Sequence, residues 1–452
     1  MNSSSLAKVW FTLSLMALVF AYGVGVGKWE WFPHSYLNKA LNQARALTGS
    51  IEASHRKVFN RQGARTVKEG KTRPGMTAIT SWWQTPNGLE VGIKLMDERG
   101  DVLHEWLTAR GDVFEDDLLQ RKDPKGSNIH GSLLLPNGDV LITLEYVGTA
   151  RLDACGEVLW TLSEGNHHAM SPAEDGSFWI PATSQTRRSG SEQYPDFPGI
   201  DEVWVDRILH VSEDGKVLQD INVLDILYSN GLERYLFQGH FGGGPPSGDV
   251  THLNDVEPLS SSLSDEYPLF DTGDLLVSAR NVNLVFVLDP DTGEVKWHTG
   301  GPFILQHDPD YIGDGWIGVF DNQAWAPGGS RILGFQPHTD SMKVLFQGKH
   351  LDRFSTGHKG MWQMLENGNM LLTEEETGRV VEVSEEGKLV WEWVHEPYGS
   401  RVPSVSKATR VDLTREEVAS WPCSSVDSIS ASTVLSSVNL RSLSGRLLGV
   451  AL

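Results

Sequence analysis

The chain is poor in cysteine: 452 residues hold only Cys155 and Cys423. That excludes a small disulfide-stapled scaffold. With no CxxC pair and no Cys/His cluster, the usual structural zinc site is excluded too. The two cysteines lie far apart in sequence, so their pairing stays open, and two unrelated thiols is the simpler reading. Positive charge is also scarce. The 38 Lys and Arg stand against 59 Asp and Glu, for a net charge of −21. Such a field repels a phosphate backbone, so nucleic acid is not expected as a partner. An anionic small substrate is not excluded, because a few inward-facing Arg and His side chains can make an interior locally positive. No HExxH and no GxSxG motif occurs. Gly23, Gly25 and Gly27 mimic a phosphate loop, but they lie in an apolar segment without the strand before and helix after that such a loop needs.

What the chain does have is glycine and tryptophan, 46 and 16 residues, in a composition that is 39% hydrophobic and 21% charged. This is a globular composition suited to short strands and tight turns. Residues 10–27, WFTLSLMALVFAYGVGVG, carry no charge, with Lys8 before and Lys28 after. The run is just long enough to span a hydrocarbon core, and Trp29, Trp31 and Phe32 follow as an interfacial belt would. It reads as a single-pass membrane anchor behind a short tail at 1–9. A cleaved signal peptide, with Ala21-Tyr22-Gly23 as its small-x-small site, is the rival. Either places the rest of the chain on the periplasmic or extracellular side. Leu37, Leu41, Ala44 and Leu47 recur at helical spacing, so 28–72 is expected to be a helical stalk.

From residue 75 to 396 one pattern recurs six times: a polar start often holding His, a hydrophobic stretch, a Gly turn, an alternating strand, another Gly turn, and a strand often ending in Trp. The clearest copies run from His130 to Leu162 and from His358 to Trp393. They align Pro136-Asn137-Gly138 with Glu366-Asn367-Gly368, and Trp160 with Trp391. Four strands per module at this period are the mark of propeller blades. The fold class is therefore all-β, a six-bladed β-propeller over 73–400. The inserts at 183–206 and 228–250 are expected as rim loops. Residues 401–452 are expected as a C-terminal extension whose Ser-rich end is given no structure.

His130, His168, His252, His307 and His358 all stand at the start of a module. In a propeller the innermost strand comes first and lines the central channel, so these positions face one axis. Arg280 sits in an otherwise apolar strand pair, where an unpaired guanidinium is costly; it is expected to face the channel and an anion. Inter-blade spacers, or a salt bridge for Arg280, are the structural alternatives. No metal and no cofactor is expected.

At these residues the sequence resembles the bacterial arylsulfotransferase family. The repeat pattern covers 75–400, and the likeness is sharpest in THLNDVEPL with His252, DLLVSARN with Arg280 and QHDPDYIGDGWIGVFDN with His307. The resemblance implies a six-bladed propeller that moves a sulfuryl group from a phenolic sulfate ester to a phenol without a nucleotide sulfate. It implies His307 as nucleophile through a sulfohistidine, Arg280 on the sulfuryl oxygens, and His252 as a third catalytic residue. His168 would help bind the group and shuttle the phenol proton. His130 and His358 complete the expected substrate-binding ring. Trp316, Trp325 and Trp362 are expected to stack on an aryl ring or to fill the core. The short spacing from Arg280 to His307 suggests a trimmed blade, and Asp308 stands beside the nucleophile. The N-terminal β domain through which known members dimerise has no counterpart here, so no oligomeric state is carried over. The rival readings are a non-catalytic propeller that binds a ligand or protein on its rim, and a quinone-cofactor oxidoreductase. The second would need vicinal cysteines or calcium-binding carboxylates in the channel.

Overall fold

A computed structural model describes residues 3–29 and 54–423, apart from 86–87, 108–109, 123–128, 185–201, 238–247, 323–328, 349–350, 352–353 and 358. The chain divides into two units, Met1–Glu52 and Ala53–Leu452. In the first, Ser3–Trp29 forms one α-helix. Its large apolar side chains from Trp10 to Val24 are exposed. Among the described residues no helix is long and apolar enough to cross a membrane.

In the second unit six antiparallel sheets make six blades. Blades two to five take four consecutive strands each: Ile129–Leu162, Ser171–Asn222, Leu253–Thr299 and His307–Gln347, first strand to last. Blade four is thus complete, and the short spacing after Arg280 trims nothing. Middle strands such as Val140–Leu144, Leu275–Ala279 and Leu284–Leu288 are buried at every residue. They are covered on both faces by neighbouring blades, so they read as unbroken apolar runs. The alternation expected of half-buried strands is confined to other positions in the blades. The buried hydrophobic residues fall into six clusters, each spanning the seam between two adjacent blades. A blade therefore has no core of its own, and only the closed ring buries all six.

Closure comes from the far end of the chain. Val405–Val411 is the innermost strand of blade one, pairing Val405 with Ser81 and Val411 with Met76. The ring thus extends past residue 400, and module one lacks a starting histidine because its inner strand is not its own. Blade six gains a fifth, outer strand, Gly63–Thr66, paired with Leu389–Val394. Ser54–Arg56 pairs with Arg401–Pro403. Of the expected stalk, Lys28 and Trp29 end the N-terminal helix and 54–72 holds two short strands rather than helix; residues 30–53 lie outside the described residues. Arg61 and Arg65 reach the buried Glu392, at 2.6 and 2.5 Å, which ties this segment to the ring.

After the closing strand, Thr414 caps a short helix, Arg415–Ser420, with a reciprocal bond to Glu417. Val418 and Trp421 enter the seam between blades one and two. Cys423 then bonds to Cys155 of blade two, 268 residues away in sequence. The reading of two unrelated thiols is corrected: ring closure returns the C-terminal segment to the first blades and brings the sulfurs together. The Ser-rich end lies outside the described residues. Because the bridge closes so long a loop, Cys423→Ser, or reduction of wild type, is expected to lower stability by about 2–4 kcal/mol in urea unfolding. An unchanged midpoint would show the closing strand to be held by its seams alone.

Candidate active site

The inner strands of blades two, four and five do not begin as regular ladders. Their pairing shifts by a residue between Ile129 and Gly131, Leu253 and Asp255, and His307 and Asp310. His168, His252 and Asp308 have positive φ, at 62°, 50° and 47°. Bulges and left-handed residues re-aim side chains and gather at functional sites. Glycine permits the closest approach: a Cβ on Gly131 would lie 1.9 Å from the His168 carbonyl oxygen. The His130 and His168 rings consequently stand 4.3 Å apart. Amides fix blade four to blade five. Asn254 Nδ2 donates to Gln306 O at 2.8 Å, and Gln306 Nε2 donates to Leu284 O at 3.1 Å. The Arg280 N–H donates to His252 O at 3.1 Å.

Three of the expected histidines meet here, together with His167. His252 Nδ1 is 2.5 Å from Asp249 Oδ2 and its Nε2 is 3.2 Å from His168 Nε2. His168 Nδ1 is 2.8 Å from His167 Nδ1, and His167 Nε2 is 3.5 Å from Asp206 Oδ1. Burial holds His168 and His130 well below the ordinary histidine range, and the neighbouring imidazoles push the same way. Burial also opposes charge on His167, but Asp206, Asp249 and Glu145 outweigh it and raise the group. Asp249 is held low because His252 outweighs its burial.

His307 is buried. Its Nδ1 faces two acceptors, Leu305 O at 3.0 Å and Asn322 Oδ1 at 2.7 Å. The amide cannot turn, because Asn322 Nδ2 donates to Thr356 O at 3.0 Å and Lys359 O at 2.7 Å. Nδ1 must therefore carry the hydrogen, which leaves a lone pair on Nε2. That Nε2 is buried with no hydrogen-bond partner among the described residues. Burial, then the Arg280 charge, keeps His307 well below the usual histidine range and so neutral. The Arg280 Nη1 donates to Asn281 Oδ1 at 2.9 Å, while its buried Nε has no partner among the described residues. Burial lowers Arg280 somewhat, but a guanidinium stays charged.

His130, Glu145 and His168 each bring one potential metal-ligand atom within 4.8 Å of the others. Both His168 nitrogens already face other imidazoles, so we assign this trio no metal. His358 lies outside the described residues, as does Trp325. Trp362 is core: it is buried, and its indole donates to Asp308 O at 2.8 Å. Trp316 lies under Lys343, 3.9 Å from its ammonium. Among the described residues neither tryptophan makes a ring contact with His130, His167, His168 or His252. The aromatic pair that does is Tyr146 and Trp204, edge to face at 4.8 Å, with Tyr146 5.3 Å from the His167 ring. Asp308 neither orients His307 nor crowds it, because the bulge turns its Oδ2 to the Trp362 N–H at 2.8 Å. It belongs to a cavity of about 250 Å³ farther along the same strands, shared with Asp255, Glu257, Asp310 and Lys407. Burial raises all four carboxyls, Asp308 to about 6 and Glu257 to about 8.

Sequence reasoning missed Asp249, Asn322 and Asp206. Asp249 had a signal, its i,i+3 spacing to His252. Asn322 ends a stretch singled out for His307 but looks like an ordinary turn residue, and Asp206 looks like the edge of a loop.

No curated protein matches the chain. Among solved structures, a protein of unknown function from Bacteroides caccae aligns at 13% identity, covering 75% of this chain and 100% of its own, with a TM-score of 0.47. TolB from Acinetobacter baumannii aligns at 12%, covering 74% and 66%, with a TM-score of 0.41. Virginiamycin B lyase from Staphylococcus aureus aligns at 10%, covering 64% and 86%, with a TM-score of 0.34. None of these scores reaches 0.5, and the propeller stands on its own strand pairing. A family model does match, that of the arylsulfotransferases, over residues 131–396. This is more than half of the sequence and takes in His168, His252, Arg280 and His307, so the chain belongs to the arylsulfotransferase family.

Proposed function

We propose that this protein carries a sulfuryl group from a phenolic sulfate ester to a phenol through a sulfohistidine on His307, without nucleotide sulfate. The observation that carries this reading is the His307 imidazole: neutral, its tautomer fixed by Asn322, and its Nε2 lone pair unused. In the first step Nε2 attacks sulfur and the aryl O–S bond breaks, with the electron pair leaving on the phenolate oxygen. That oxygen takes a proton from the His252–His168 pair. In the second step the acceptor phenol returns a proton to the pair as its oxygen attacks sulfur, and the N–S bond breaks to restore His307. Arg280, the guanidinium whose charge acts on His307, would balance charge developing on the sulfuryl oxygens. Tyr146 and Trp204 offer an aromatic wall for the aryl ring. His130, stacked on His168, would line the same cradle.

A non-catalytic rim-binding propeller is the second reading. It would be favoured if His307 or Arg280 were locked between blades. The His307 partners, Leu305 and Asn322, instead lie at the edge of its own blade, and the Arg280 side chain reaches only its neighbour Asn281 among the hydrogen bonds described. For location, we propose an oxidising compartment outside the cytoplasm. The disulfide supports it, and the exposed apolar helix Ser3–Trp29 is consistent with an anchor or leader.

Transfer from 4-nitrophenyl sulfate to phenol tests the reading. His307→Ala should lose about 10⁴-fold or more while melting like wild type, and Arg280→Ala about 10²–10³-fold. No transfer by folded wild type across several phenols would favour the binding module. Asn322→Ala frees the His307 tautomer and should lower kcat by about 10²-fold with little change in KM; an equal loss in both would point to misfolding of the cradle. Because His307 stays neutral well below the ordinary histidine range, 4-nitrophenol release in a single turnover should not fall as pH is lowered through about 6.5. A rate that halves at that pH would mean the nucleophile titrates as an exposed histidine does.

A further inference from the structure

His252, His168 and His167 lie in one line between two carboxylates. The four gaps are 2.5 Å from Asp249 to His252, 3.2 Å from His252 to His168, 2.8 Å from His168 to His167 and 3.5 Å from His167 to Asp206. The three shorter gaps are hydrogen bonds and take one hydrogen each, which three neutral imidazoles supply. That leaves His167 Nε2 bare, with no hydrogen-bond partner among the described residues and its lone pair at ion-pair distance from Asp206. One further proton on the line has its place there, against a carboxylate.

The ends of the line differ. Asp206 is buried, and its Oδ2 already accepts the Thr251 hydroxyl at 2.6 Å and the Leu253 N–H at 2.7 Å. Only Oδ1 remains, facing His167. At the other end His252 is partly open and adjoins Arg280 in the chain path, where its carbonyl accepts the Arg280 N–H. The groups around His167 favour its cation: Asp206, Asp249 and Glu145 act on it, and the Tyr146 ring covers it. The His168 and His252 rings lie 5.1 and 6.4 Å from the His167 ring.

We infer that His167 and Asp206 form the inner half of a proton relay whose outer end is His252. This rests on the transfer reading, since it says where the phenol proton is kept. At rest the extra proton sits on His167, whose Nε2–H faces Asp206. For donor cleavage the His167 Nδ1 proton passes to His168 Nδ1, and the His168 Nε2 proton passes to His252 Nε2. His252 is then an imidazolium with Nδ1–H on Asp249 and an Nε2–H that turns from the now bare His168 Nε2 to the leaving phenolate. Giving that proton up makes the phenol and leaves every ring neutral. The acceptor phenol returns one proton to His252 Nε2, both hops reverse, and His167 is again the cation. One proton is borrowed and restored per cycle. No titratable water or metal is needed. His167 touches no substrate and acts through His168.

Leaving-group dependence tests this. A relay that protonates the leaving oxygen matters for a poor leaving group and hardly at all for a good one. His167→Gln and Asp206→Asn should therefore lower transfer from phenyl sulfate by about 10²-fold or more. Transfer from 4-nitrophenyl sulfate should change by less than about threefold. An equal loss with both donors would make the pair merely structural and overturn the relay. A second readout does not depend on activity. In ¹⁵N-histidine spectra at pH 7, just above the ordinary histidine range, the intact protein should show one histidine that is mainly imidazolium, absent in Asp206→Asn. If wild type transfers from neither ester, the transfer reading fails while the spectrum still judges the proton store. Neutral signals for every histidine at that pH would overturn it.

Discussion

Everything in this molecule hangs on one borrowed strand. Val405–Val411 arrives from the far end of the chain and fills the inner edge of the first blade. Without it, Met76–Thr85 would present an unpaired edge to the channel, and the seam that joins Val405 and Ala408 to Trp391 and Trp393 would open. Since hydrophobic contact lies between blades, losing one seam exposes a face of both neighbours. Convergence of the histidines is a further consequence: they share an axis only when the ring is shut.

The site occupies the places where regular pairing gives way. Bulges interrupt the ladder at the starts of the inner strands, and left-handed backbone at His168 and His252 costs of order 1–3 kcal/mol per residue. Buried imidazoles and a guanidinium with an unpartnered nitrogen add to that. The six seams offset these costs, so the two features belong together: well-packed blades outside, irregular and polar strand starts inside.

The blade count was legible because glycine turns and terminal tryptophans punctuate each module locally. The module-start histidines were legible by the same logic, and His130, His168 and His252 do meet, while His358 falls outside the described residues. The closing strand was not legible, because Val405 finds Ser81 more than three hundred residues back and nothing local marks a strand as borrowed. The disulfide was hidden for the same reason. Asn322 was hidden differently: its amide is aimed by carbonyls of Thr356 and Lys359 in the approach to the next blade, so its role exists only in the assembled ring. Asp308 shows the converse hazard. Adjacency to His307 invites a partnership, yet a bulge sends the two side chains to different neighbours.

The inner strands carry imidazoles at their starts and carboxyls farther along: His252 then Asp255 and Glu257, His307 then Asp308 and Asp310. Burial raises all four of these carboxyls, Asp308 to about 6 and Glu257 to about 8, and Lys407 shares their cavity. The deep stretch is therefore not a fixed negative wall. Its charge grows only as pH rises, with Glu257 the group that ionises through about 8. How far an anion can travel along these strands is thus a property of the medium as well as of the protein.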